Sequence, residues 1–98
     1  MAELTTLFDF HVRPDAVPTA AAVIADTLVA TRAFPGCLGI DVIVDVADET
    51  HFVLVEHWDG PESDAAYRAW RSTPEGRSSL SGIVDGRPTA TLFTSVDA

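Results

Sequence analysis

The side chains of this sequence best suited to chemistry are His11, His57, Trp58, Tyr67 and Trp70. Imidazole titrates near neutral pH, so His57 and His11 are candidate proton acceptors, with Asp9 able to orient His11. His57, directly before Trp58, is the better placed. Both histidines would serve equally well as hydrogen-bonded groups in a subunit interface. Together with a carboxylate they could ligate a metal, although no ligand-spacing motif supports that. Trp58, Tyr67 and Trp70 offer flat apolar rings with one polar handle each, fit for stacking on a substrate ring or for packing in the core of a small domain. Trp70 stands between Arg68 and Arg71, which suits the rim of a pocket. The other candidates read as structural. His51 falls at a hairpin and is expected in solvent, Asp41 and Asp45 on a wet strand face. Cys37, whose one nearby basic residue is Arg32, reads as packing and not as a nucleophile. GxGxxG, P-loop, CxxC and HExxH motifs are all missing, so no metal and no nucleotide or flavin cofactor is expected.

The elements that must position these groups follow from periodicity. Residues 4–13 read as a strand, with Phe8, Phe10 and Val12 on one face and Leu7, Asp9, His11 and Arg13 on the other. Pro14 ends it. Asp15 is the expected cap of a helix with Pro18 in its first turn and Val17, Ala21, Ile24 and Leu28 as its core stripe, widened by Val23, Ala30 and Phe34. Pro35-Gly36 stops that helix. The second strand, 38–46, places Leu38, Ile40, Val42, Val44 and Val46 on one face. The third, 52–58, opens with Phe52, Val53, Leu54 and Val55 in succession, so it should be central and buried on both sides. Asp59-Gly60-Pro61-Glu62 starts a second helix. Ser72-Thr73-Pro74-Glu75 should break it and restart it as far as Ile83. Asp85-Gly86-Arg87-Pro88 reads as a turn, and 89–96 as the last strand.

The order β-α-β-β-α-β is the ferredoxin-like, split-βαβ arrangement of an α+β protein: a four-stranded antiparallel sheet with helices on one face. The first and third strands should lie side by side in the middle, and we expect those two to run parallel. His11 and His57 would then lie near the same end of neighbouring strands. Strand alternation sends Trp58 and its neighbour His57 to opposite faces, so His57 points away from a helix-side pocket unless a bulge turns it. The face without helices carries Leu7, Val53 and Val55, and a partner subunit is its simplest cover.

Composition narrows the rest. Residues 1–98 suffice for one domain with one core. No apolar run approaches the roughly 20 residues of a membrane span, and the first residues lack the basic and apolar regions of a signal peptide. With a single cysteine, a cytoplasmic protein is the expectation. The formal charge of −9 repels phosphate backbones and anionic lipid, so neither nucleic acid nor membrane is an expected partner.

Pro35-Gly36-Cys37 before the second strand, Glu56-His57-Trp58 closing the third and Ala65-Ala66-Tyr67 on the following helix resemble, in that order and spacing, the antibiotic biosynthesis monooxygenase (ABM) domain of the dimeric α+β barrel proteins. The resemblance spans almost the whole chain and implies a homodimer. One branch of that family holds cofactor-free oxygenases of aromatic polyketide pathways, which convert anthrones to quinones. Its pocket uses a Trp, a Tyr and an Arg that Trp58, Tyr67 and Arg77 match. Its Asn four residues before the Trp is Leu54 here. The other branch degrades haem with an axial His, a Trp that Trp70 could match, and an Asn whose position falls near Phe8. The position of that His falls near Leu80 and no histidine follows His57, so the chain departs from that branch. By this resemblance the protein would act on a small aromatic or quinol-like substrate with O2 and no cofactor. A substrate deprotonated to an enolate or phenolate can itself pass an electron to O2, given a dry cavity, a base and orientation. Tyr67 and Trp70, with His57 or His11 as base, would carry the reaction. Trp58, Arg77, Phe8, Phe10, Phe52 and Leu54 would hold the ring. The alternative is a non-oxidative binding or cyclase-like accessory protein using the same pocket, which the change to Leu54 favours.

Overall fold

The computed structural model describes residues 3–98. In it, β1 (Leu4–Val12) leads through a short 3-10 turn (Pro14–Ala16) into α1 (Val17–Ala33), and β2 (Cys37–Asp45) and β3 (Asp48–Trp58) form a hairpin. Then come α2 (Pro61–Arg71), a second 3-10 turn (Ser79–Gly82) and β4 (Val84–Thr94). The sheet order is β2-β3-β1-β4, and every neighbouring pair is antiparallel. The ferredoxin-like fold and the central place of β1 and β3 are therefore as expected, but those two strands do not run parallel. The hairpin reverses the chain between β2 and β3, so the strand inserted beside β1 must oppose it. His11 consequently pairs with His51, and His57 pairs with Thr5 at the far end of the sheet.

The two faces of β1 and β3 alternate strictly. Leu4, Thr6, Phe10 and Val12 on β1, with Phe52, Leu54, Glu56 and Trp58 on β3, are buried under the helices. Beneath α1, Phe10, Val12, Phe52 and Leu54 form one apolar cluster with Ala20, Ile24, Leu28, Ile40 and Leu80. Beneath α2 a smaller cluster joins Leu4, Trp58 and Tyr67, flanked by Phe34, Cys37 and Trp70.

Several boundaries differ from expectation for identifiable reasons. Asp15 does not cap α1; it accepts a hydrogen bond from Arg13, and the 3-10 turn leads in instead. The buried stripe of α1 runs through Ala20, Ile24, Thr27, Leu28 and Thr31, so Ile24 and Leu28 are inward as expected, while Ala20 is buried in place of Ala21, which is exposed. By length and composition the stretch Pro14–Ala33, with mean hydropathy 1.2, would suffice to cross a membrane, closer to a span than expected. Here its apolar stripe packs on the sheet as a core helix. On β2 only Ile40 of the expected inner face is buried, because the strand lies at the sheet edge; Val46 falls in the turn and is exposed. Residues 72–76 turn without restarting an α-helix, and only the short 3-10 turn follows. Asp85–Pro88 lies inside β4, where an irregularity in the register opposite Asp9 and His11 absorbs it and Gly86 takes φ +82°.

Pro35-Gly36 sets the angle between α1 and the sheet. Gly36 has φ +92°, and a Cβ there would lie 2.1 Å from Ser63 Oγ in the first turn of α2. Its carbonyl accepts the Asp59 N–H at 2.9 Å. A side chain at this position would push α2 away from the strands it covers.

Candidate active site between the sheet and the second helix

A pocket of about 410 Å³ opens on the helix side of the sheet. Its floor is Phe8, Leu54 and Glu56, from the inward positions of β1 and β3. Thr27 of α1 and Tyr67, Arg68 and Arg71 of α2 form one wall. Arg77, Ser78, Leu80 and Ser81 close a second side, and Val84, Gly86 and Pro88 of β4 the third. The volume falls in the range of small-molecule sites.

Glu56 is 1% exposed, and its Oε1 accepts from Trp58 Nε1 at 3.2 Å and from Arg68 Nη2. The same Arg68 nitrogen donates to Asp64 Oδ1 at 3.2 Å, and Thr6 Oγ1 donates to that oxygen at 2.8 Å. Two buried carboxylates thus share one guanidinium. Burial pushes the Glu56 carboxyl above the ordinary range, Arg68 and the Trp58 hydrogen bond pull it back, and Asp64 pushes it up again. Arg68 also covers the Phe8 ring at 5.3 Å and the Tyr67 ring at 5.1 Å.

Tyr67 is 4% exposed, and its hydroxyl lies 2.6 Å from Thr31 Oγ1 and accepts from Arg71 Nε at 2.7 Å. Arg71 further donates to the carbonyls of Thr27 and Gly76 at 2.8 and 3.0 Å and to Thr31 Oγ1 at 2.9 Å. It ties both helices to the turn after α2 and meets only neutral acceptors.

Of the residues expected to act, the pocket brings together Phe8, Leu54, Tyr67 and Arg77. Phe10 and Phe52 are buried in the core and stack on one another at 6.0 Å. Trp58 is fully buried against Tyr67, ring centroids 5.0 Å apart, and faces no open space. Trp70 lines a second hollow on the other side of Arg71, with the Arg71 guanidinium 4.8 Å above its ring. His57 and His11 lie on the sheet face opposite the pocket and at opposite ends of it, so they share neither a base site nor a metal site. His57 touches Thr5 Oγ1 at 3.5 Å and Asp41 Oδ2 at 3.6 Å. Asp9 orients His51 and not His11. His51, expected in solvent, is held by Asp9 and Asp45, both at 2.9 Å, and stacks on His11 at 4.5 Å. Those two carboxylates raise its pKa above the ordinary value. Cys37 is half-buried in packing, and burial pushes its thiol up.

Sequence reasoning passed over Glu56, Asp64, Arg68 as a pocket residue, and Arg71. A signal existed. Glu56 takes the inward phase of a strand whose other inward residues are Phe52, Leu54 and Trp58, and a carboxylate there must find a partner. Asp64 and Arg68, one helical turn apart on α2, supply it.

Solved structures resemble this chain over nearly all of its length. A variant of SnoaB, a cofactor-independent oxygenase from Streptomyces nogalater, is 18% identical with TM-score 0.80, covering 100% of this chain and 97% of that one. An antibiotic biosynthesis monooxygenase is 22% identical with TM-score 0.78, covering 96% and 99%. Rv0793 from Mycobacterium tuberculosis is 20% identical with TM-score 0.76, covering 99% and 98%. At these identities the likeness concerns the fold. No curated protein sequence matches the chain. The family model described as antibiotic biosynthesis monooxygenase matches residues 4–78, most of the chain and every element that builds the pocket except β4 and the turn before it, and the chain therefore belongs to the antibiotic biosynthesis monooxygenase family.

Proposed function

We propose that this protein is a cofactor-independent monooxygenase acting on an aromatic polyketide or quinol-like small molecule. The observation that carries the reading is the pocket itself. It is walled by Phe8, Leu54, Leu80 and Val84, holds one carboxylate, and has arginines at its rim. Such a cavity suits a flat ring with an ionisable hydroxyl or an activated methylene. In the reaction, a methylene flanked by aryl rings loses a proton and the carbanion adds O2. The resulting hydroperoxide then eliminates water to leave a carbonyl. One oxygen atom enters the product and the other leaves as water, with the substrate supplying all the electrons. Tyr67 borders the ring, and Arg77 stands where an anionic product oxygen would emerge. The test is oxygen uptake with an anthrone or hydroquinone. One O2 per substrate, unchanged after dialysis against a chelator, is the expected result; no uptake above buffer would overturn the reading.

The functional unit in this proposal is a homodimer. Leu7, Val53 and Val55 at the centre of the helix-free face are only half-buried, and Ile43 and Phe93 beside them are exposed. A second copy of this face is the cover that a twofold dimer provides. Sedimentation as a monomer at micromolar concentration would count against it.

One observation favours a second reading. Leu54, at 3% exposure, puts an isobutyl group on the pocket floor where oxygenases of the resembling branch carry an amide. A binding or cyclase-like protein would retain the ring site and consume no oxygen. Ligand binding without oxygen uptake would select it.

A further inference from the structure

Among the described residues, Glu56 is the only one lining the pocket that carries a carboxyl group. The arginines offer only N–H donors, the serine and threonine side chains only neutral hydroxyls, and the Tyr67 hydroxyl is already engaged by Thr31 and Arg71. His11, His51 and His57 project from the other face of the sheet.

The hydrogen bonding of Glu56 is lopsided. Trp58 and Arg68 both donate to Oε1, and no hydrogen bond among the described residues reaches Oε2. Arg68 Nε is the one buried side-chain nitrogen or oxygen left without a partner among the described residues. Oε2, equally without a hydrogen bond, is not among those fully buried atoms, and Glu56 lines the pocket floor. One oxygen is clamped and the other is free, an arrangement that fixes a carboxylate while leaving it able to take a proton.

We propose that Glu56 is the proton acceptor of this pocket, and that the substrate is a weak acid of the activated-methylene or phenol class. The inference rests on the monooxygenase reading above. The substrate's C–H or O–H bond breaks, its electron pair stays on the substrate, and the proton forms an O–H bond at Oε2. After O2 has added, the same proton passes to the peroxide oxygen, and Glu56 returns to its carboxylate form. The groups facing Glu56 set its affinity for the proton: Arg68 and Asp64 from α2, Trp58 from its own strand, and Cys37 at longer range from β2. Asp64 holds the proton on and Arg68 drives it off. Protonation relieves the repulsion between two buried carboxylates that share one cation.

The test separates proton removal from oxygenation. Anthrone in deuterated buffer without oxygen exchanges its methylene protons, and NMR follows the rate. Wild-type protein should accelerate the exchange over buffer, and Glu56→Gln, whose amide oxygen still accepts from Trp58 and Arg68, should lose about 10²–10⁴-fold of it. Thermal melting verifies that this variant is folded. Asp64→Asn should keep the exchange and move the acidic limb of its pH profile to lower pH. Exchange by Glu56→Gln at the wild-type rate, or no acceleration by the wild type, would overturn the proposal. So would an acidic limb unmoved in Asp64→Asn. Oxygen uptake indifferent to Glu56 would sink the base and spare the oxygenase; accelerated exchange without oxygen uptake would do the reverse.

Discussion

On the helix side of the sheet the Glu56 side chain lies between Trp58 and Arg68, 2% exposed; one residue further along the same strand, the His57 side chain is 42% exposed on the opposite side and, among the described residues, reaches Thr5 and Asp41. The helix side concentrates charge in a dry place. Glu56, Asp64 and Arg68 form a cluster with one negative charge too many, at the edge of an apolar cavity. The helix-free side spreads its ionisable groups around the rim, with His51, Asp9, Asp45, His11 and Asp48 at one end, His57 and Asp41 at the other, and Leu7, Val53 and Val55 between. A buried carboxylate has its proton affinity set by its surroundings. The first arrangement suits proton transfer and the second suits association.

The largest effect should come from removing the single cation of the buried cluster. Arg68→Met strands Glu56 and Asp64 together, a change that typically costs about 3–5 kcal/mol. The sign with pH is definite. The Glu56 carboxyl is already raised in the folded state, so its contribution is present below the ordinary carboxylate pKa and is lost as pH rises through the raised value. Without Arg68 that value rises further. The variant should therefore melt far below wild type at neutral pH and recover as the pH falls towards about 4. A deficit that does not shrink on acidification would mean that Arg68 stabilises by packing on Phe8 and Tyr67 instead.

The second prediction concerns the opposite face. Val55→Asp puts a charge at the centre of the proposed dimer surface, and twofold symmetry puts it there twice. Dimer should be lost in sedimentation while the far-ultraviolet circular dichroism of the protomer is kept. A stable dimer in this variant would show that the copies associate through another surface.

Much of this comparison was legible in strand alternation. The run from Phe52 to Trp58 announces a central strand, and period two already separates His57 from Trp58. The same period, applied to Glu56, marks a buried acid, one that stands beside the more conspicuous imidazole and indole of Glu-His-Trp. The direction of β3 follows from the hairpin reversal between β2 and β3, which the order of elements alone does not disclose. Other misses are physical. A helical period admits Ala20 and Ala21 equally as the inward neighbour of Val17, three or four residues on, and only the packing selects Ala20. Gly86-Arg87-Pro88 carries a turn's composition, yet an edge strand tolerates proline and a bulge, so β4 runs through it. The position of Trp58 at the end of its strand was clear, but α2 packs too close over it to leave a ligand room.

Tyr67 offers a smaller test, on the border between pocket and core. Its hydroxyl bridges Thr31 and Arg71, both otherwise tied into α1 and the turn after α2. Tyr67→Phe should therefore cost about 1–3 kcal/mol, the loss expected when buried partners are left unmatched. Trp70→Phe, in the neighbouring hollow, should leave binding in the main pocket nearly unchanged. If fluorescence titration with an anthrone shows the reverse order of effects, the ring lies outside Arg71 and the site has been placed on the wrong side of that guanidinium.

The smallest effect, and the most specific to the helix-free face, belongs to His51. Hydrogen bonds donated to Asp45 and then to Asp9 raise its pKa above 6.5, and the contact with Asp45 lowers the pKa of that carboxyl below 3.8. The stacked His11 ring and its Asp48 partner complete the charged surroundings. For His51 the stabilisation is fully present below the ordinary histidine value and is lost as pH rises through the raised one. For Asp45 it is present above the ordinary carboxylate value and is lost on acidification through the lowered one. The advantage of wild type over His51→Gln should thus be greatest at mildly acidic pH and fade towards alkaline pH. Added salt should reduce it, since this end of the sheet is open to solvent. The contrast with Glu56 is the point of the measurement. Both groups are raised, but a buried acid gains its proton by losing solvent and a rim imidazole by gaining partners, so salt should erode the His51 effect and leave the Glu56 effect standing. Equal salt sensitivity of the two, measured as melting temperature against pH, would dissolve the distinction between the faces.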